Sequence, residues 1–102
     1  ISHYAVVQHS DVFGKAGIFS PSYWVSEDAI NLFATKPADA TARLYFYMGA
    51  EEGGDMVEDI QRVYRSVIAQ GHPENNSILR IVPNATHSEA AWRNEFSQAV
   101  LW

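Results

Sequence analysis

Five adjoining residues, Leu44-Tyr45-Phe46-Tyr47-Met48, are all large and apolar or aromatic, with Arg43 before them and Gly49 after. In a strand, neighbouring side chains point to opposite faces, so a strand with no polar alternate must be covered on both sides. A meander with one wet face is excluded. What remains is a strand inside a parallel sheet with helices packed above and below, which is an α/β architecture.

The rest of the chain alternates strand and helix in agreement with that reading. Lys15 to Pro21 is a short apolar run bounded by Gly14 and Pro21, suited to a first buried strand that ends where proline offers no donor. Ile78 to Pro83 predicts a third strand. Between them, Val57, Ile60, Val63, Tyr64, Val67 and Ile68 recur at spacings of three and four across Asp55 to Gln70, and Gly71 stands where a C′ residue belongs. Ser26 caps a shorter predicted helix through Ala29, Ile30, Leu32 and Phe33, which ends by Lys36-Pro37. Ala91 to Trp102 predicts a closing helix with Trp92, Phe96, Ala99 and Val100 on one face.

Ile1 to Ser10 reads as the last turns of a helix with no N-cap of its own. The order of elements implies parallel strands joined by right-handed crossovers, with no repeat or linker, so residues 1–102 form part of one domain. Three doubly covered strands leave an edge open and too few helices to cover the faces. More sheet is therefore expected on the N-terminal side.

Composition narrows the partners. Seven Lys and Arg against twelve Asp and Glu give a formal net charge of −5, with no basic patch to track a phosphate backbone, so nucleic acid is not expected. No apolar run reaches the ~20 residues that span a bilayer, so no membrane partner is expected either. There is no cysteine, hence no disulfide framework and no thiolate metal site.

Open α/β sheets place their sites beyond the carboxyl ends of the strands. The segments there are Ser20-Pro21-Ser22-Tyr23-Trp24, Gly49-Ala50-Glu51-Glu52-Gly53-Gly54-Asp55 and Asn84-Ala85-Thr86-His87-Ser88-Glu89. An acidic cluster and a histidine thus fall on adjacent strand ends. A histidine acting as general base needs a carboxylate on its second nitrogen to fix the tautomer, and Glu52 and His87 are placed for that. The plainer alternatives are a solvated loop histidine at His87 and acidic residues serving the next helix N-terminus, a role that Asp55 suits well. His3, His9 and His72 are assigned no chemistry. A metal site from His72, His87 and the Glu51 to Asp55 cluster matches no short ligand motif, and no cofactor is called for.

The strings Val12-Phe13-Gly14-Lys15-Ala16-Gly17-Ile18-Phe19-Ser20-Pro21-Ser22-Tyr23-Trp24, Tyr47-Met48-Gly49-Ala50-Glu51-Glu52-Gly53 and Thr86-His87-Ser88-Glu89-Ala90-Ala91-Trp92 together resemble the esterase family of α/β-hydrolases that includes enterochelin esterases, esterase D-like enzymes and feruloyl esterases. The resemblance implies the C-terminal part of such a hydrolase fold. It implies His87 as the base and Glu52 as the acid of a Ser-His-Asp/Glu triad, with Asp55 in reserve and Glu51 the neighbouring alternative. In that family the nucleophile stands in a Gly-x-Ser-x-Gly turn, which this sequence lacks. By the resemblance the serine precedes Ile1, and Ile1 to His9 continues the helix that follows it.

Ser20 and Ser22 are set aside as nucleophiles because neither stands in a glycine-flanked elbow. Trp24 and Tyr23 are candidate pocket residues, whereas Trp92 is assigned to packing. The expected function is hydrolysis of a carboxylic ester by a serine esterase, inert in this segment alone. Its expected partners are the ester, and either the N-terminal half or a second copy. The alternative is a non-catalytic binding module that retains the hydrolase architecture.

Overall fold

Leu44, Phe46 and Met48 point to one side of the sheet and Tyr45 and Tyr47 to the other, and all five are almost wholly excluded from solvent. The computed structural model describes residues 2–25 and 27–102. Its elements, in order, are α1 (Ser2–Gln8), β1 (Lys15–Phe19), α2 (Glu27–Thr35), β2 (Arg43–Gly49), α3 (Met56–Ala69), β3 (Ser77–Val82) and α4 (Glu89–Leu101). The three strands form one parallel sheet in the order β1-β2-β3, pairing Ala16 with Leu44 and Leu44 in turn with Ser77. The chain is thus a small α/β unit with a three-stranded parallel sheet and flanking helices. Ser26, expected to cap α2, lies outside the described residues.

The larger core layer joins Leu44, Phe46 and Met48 to Val6 and Val7 of α1, Ile30 and Phe33 of α2, and Ile60, Val63 and Val67 of α3. Fully burying one such side chain contributes roughly 1.5–3 kcal/mol, so this layer dominates the stability. The C-terminal end of α3 closes as the glycine predicts. Gly71 adopts φ 93° and donates to the Ile68 carbonyl, and His72 N–H reaches back to Val67. His72 is buried with Nε2 donating to the Ala42 carbonyl at 2.9 Å, which ties the end of α3 to the start of β2. Its role is structural.

Among the described residues only α4 covers the opposite face of the sheet, and here the sequence expectation needs correcting. The helix starts at Glu89 rather than Ala91, because the Ser88 hydroxyl accepts from Ala91 N–H at 3.2 Å and caps the first turn. Its inward side carries Trp92, Glu95, Ala99 and Trp102, whereas Phe96 and Val100 are 62% and 55% exposed. The cause is Glu95. The carboxylate is drawn inward by the Tyr45 hydroxyl and by Arg80, whose Nε lies 2.8 Å away. Burial opposes its charge, yet those hydrogen bonds outweigh burial and hold the carboxyl below its usual range. With Glu95 turned inward, the helix is rotated away from the predicted face.

Phe96 and Val100 instead border an apolar groove of about 400 Å³ with Lys15, Gly17, Phe19 and Ala99, alongside β1. Among the described residues the outer edge of β1 has no strand partner.

Candidate active site

Because the strands run parallel, the segments after β1, β2 and β3 leave the sheet at one edge. The last two are fastened together by backbone. Ala50 N–H donates to the Val82 carbonyl and Glu51 N–H to the Ala85 carbonyl, both at 2.9 Å. Gly49 makes this closeness feasible: a β-carbon there would lie 2.4 Å from the Ala85 carbonyl oxygen, which only glycine avoids. Any side chain at position 49 must push the segment bearing His87 outward. The β3–α4 segment turns through Asn84 at φ 62°, a conformation that asparagine tolerates better than most residues.

This fastening brings Glu52 and His87 together. His87 Nδ1–H donates to Glu52 Oε1 at 2.7 Å, with the glutamate side chain fully enclosed and the histidine half exposed. The other carboxylate oxygen, Oε2, accepts from Gly49 N–H and from the Ser20 hydroxyl, each at 2.6 Å. A buried carboxylate is costly unless its lone pairs are met, and three donors meet them here. With both oxygens engaged the carboxylate cannot rotate. His87 is fixed with its proton on Nδ1, which leaves Nε2 as the nitrogen free to take a proton.

The other acidic residues do not share this arrangement. Glu51 and Asp55 are exposed, and Asp55 occupies the N-cap of α3 without a side-chain hydrogen bond to it. Among the described residues no group of three or more His, Cys, Asp or Glu side chains is gathered as a metal ion would require.

Ser20 touches the pair but is not arranged as a nucleophile. It is 5% exposed and directs its proton to Glu52 rather than to His87. Ser22 is exposed, with no hydrogen bond to the pair. Trp24 is 66% exposed and borders a hollow of about 350 Å³ with the Glu52 to Asp55 loop, Met56 and Asp59. Tyr23 departs from its expected place in the pocket: it is 4% exposed, and its hydroxyl shares a 2.8 Å hydrogen bond with His3 Nδ1 in the core. An aromatic ring whose hydroxyl finds a buried partner packs inward, and here His3 supplies that partner.

Sequence reasoning did not bring Trp92 and Ser20 to this pair. The Trp92 indole N–H donates to the Ser20 hydroxyl at 2.8 Å, and its ring stands edge-on to the His87 imidazole with centroids 4.9 Å apart. One signal was present: a tryptophan one helical turn beyond a loop histidine has an N–H that needs an acceptor once half-buried.

No protein-family model matches the chain, and no solved structure matches it. Uncharacterized protein YbbA from Bacillus subtilis (strain 168) is 28% identical over 109 residues, an alignment that takes in all of this chain and 44% of that protein. The chain thus spans less than half the length of this relative.

Proposed function

We propose that the chain is the C-terminal portion of an α/β-hydrolase serine esterase of the enterochelin esterase, esterase D and feruloyl esterase kind, and that it supplies the acid and base of the triad. The observation that carries this reading is the 2.7 Å hydrogen bond from His87 Nδ1 to an enclosed Glu52 carboxylate at the carboxyl edge of a parallel sheet. In the complete enzyme a serine outside this sequence attacks the ester carbonyl. His87 Nε2 takes its proton and returns it to the leaving alcohol, while Glu52 holds the ring and stabilises the imidazolium. The oxyanion is held by donors outside this chain. The free edge of β1 and the apolar groove beside it are where the nucleophile-bearing part of the sheet would dock.

The chain alone should hydrolyse p-nitrophenyl acetate no faster than an equal concentration of free histidine, because a base without a nucleophile has nothing to activate. Joined to its upstream half it should turn over the ester with saturation kinetics. Inertness of the completed protein toward every ester offered would favour a non-catalytic binding module, and turnover by the isolated chain that survives His87→Ala would contradict the triad reading.

A further inference from the structure

Four side chains from four separate segments close a circuit around the carboxyl edge of the sheet. His87 donates to Glu52, Ser20 donates to Glu52, Trp92 donates to Ser20, and the Trp92 ring abuts His87. We propose that Ser20 and Trp92 are positioning residues that lock the Glu52 carboxylate and, through it, the tautomer and orientation of His87. The proposal rests on the esterase reading for its purpose.

Ser20 has the marks of a residue held for such a task. It is almost fully buried and adopts φ 48°, a left-handed conformation that costs any residue with a β-carbon. Its backbone N–H continues the ladder to the Tyr47 carbonyl at 2.9 Å, so the hydroxyl is fixed at a rigid strand end rather than on a mobile loop. Glycine would relieve the backbone at this position. A hydroxyl is present instead, and both its donor and an acceptor lone pair are used.

The consequence for Glu52 is geometric. Ser20 and Gly49 N–H both engage Oε2, so the carboxylate is turned with Oε1 toward His87. Without the hydroxyl, one backbone donor would hold Oε2 and the carboxylate could pivot. Trp92 limits the freedom of both partners at once, because the same indole bonds the hydroxyl and packs on the imidazole.

The test is the tautomer of His87, read from two-bond ¹H–¹⁵N correlations of the histidine side chains at mildly alkaline pH, with thermal unfolding recorded beside it. Wild type should show His87 almost wholly protonated on Nδ1. Ser20→Gly should unfold at or above the wild-type temperature, since the left-handed backbone is relieved. Its Nδ1–H to Nε2–H ratio should nevertheless fall roughly fivefold, the size of one hydrogen bond's net contribution. Trp92→Phe, which keeps a ring against His87 but removes the N–H, should lower the ratio about twofold by the same reasoning. Glu52→Ala, which removes both carboxylate oxygens, separates the two readings. If it shifts the tautomer while Ser20→Gly and Trp92→Phe leave it unchanged, the positioning role is wrong and the His87–Glu52 pair stands. If Glu52→Ala itself leaves the tautomer unchanged, the pair and the positioning role both fail.

Discussion

His87→Ala, in the protein completed by its nucleophile-bearing half, is expected to lower kcat for an activated ester by roughly 10⁴-fold or more, as when a triad base is removed and only binding and the oxyanion hole remain. KM should change far less, because on the proposed mechanism the imidazole would act on the proton in flight rather than on the bound ester. Glu52→Gln is expected to cost roughly 10³- to 10⁴-fold, by analogy with neutralised orienting acids. The geometry explains why an isosteric change should be so damaging. Glu52 accepts three hydrogen bonds, from His87, Ser20 and Gly49 N–H. An amide presents an NH₂ to one of these donors, so it must either repel the backbone or force His87 into the tautomer with its proton on Nε2. Glu51→Gln and Asp55→Asn, on exposed carboxylates away from His87, should stay within about twofold, as changes outside the triad do. Steady-state kinetics of the four variants would check the set. A harmless Glu52→Gln beside a crippling Asp55→Asn would move the acid to Asp55 and leave the base in place.

Acid should weaken the fold well before the surface carboxylates titrate, and one buried imidazole is the reason. His3 is 4% exposed, stacks on Phe33 with ring centroids 3.9 Å apart and bonds Tyr23, and burial lowers its pKa to about 3. The unfolded chain takes up this proton near pH 6.5, its ordinary value, whereas the folded chain refuses it until about pH 3. Between those limits the unfolded state binds more protons, so stability present above pH 6.5 is lost as pH falls. The whole window amounts to something on the order of 4 to 5 kcal/mol, and about 2 kcal/mol should be gone between pH 7 and pH 5. Urea titrations at several pH values read this directly. His3→Phe forfeits the Tyr23 hydrogen bond and with it some stability at pH 7, but its pH slope over that interval should drop to less than half. An unchanged slope would assign the acid sensitivity to another group.

The architecture was legible because one strand left little choice. Leu44 to Met48 demanded cover on both faces, and the spacing of Ile60, Val63 and Val67 named a helix that supplies it. The meeting of Glu52 and His87 was legible for a related reason: parallel strands deliver their carboxyl ends to one edge, so loop residues 35 apart in sequence could be matched without coordinates. What failed were judgements about side chains whose environment is set by distant partners. The face of α4 is set by Tyr45 and Arg80, which draw Glu95 inward and leave Phe96 exposed. Tyr23 looked like a pocket residue until His3, from another helix, accepted its hydroxyl. Ser20 and Trp92 are 72 residues apart, and no local pattern announces a hydrogen bond between them.

The central claim is that the chemistry needs a serine this sequence does not contain and a base that it does. A fluorophosphonate probe tests that most directly, since it forms a phosphonyl–oxygen bond with loss of fluoride only at a serine whose proton is taken by a neighbouring base. Peptide mass mapping of the labelled, completed protein should find one modified serine, outside these 102 residues, and the His87→Ala variant should remain unlabelled. Labelling at Ser20 or Ser22, labelling that persists in His87→Ala, or no labelled serine at all would contradict the account.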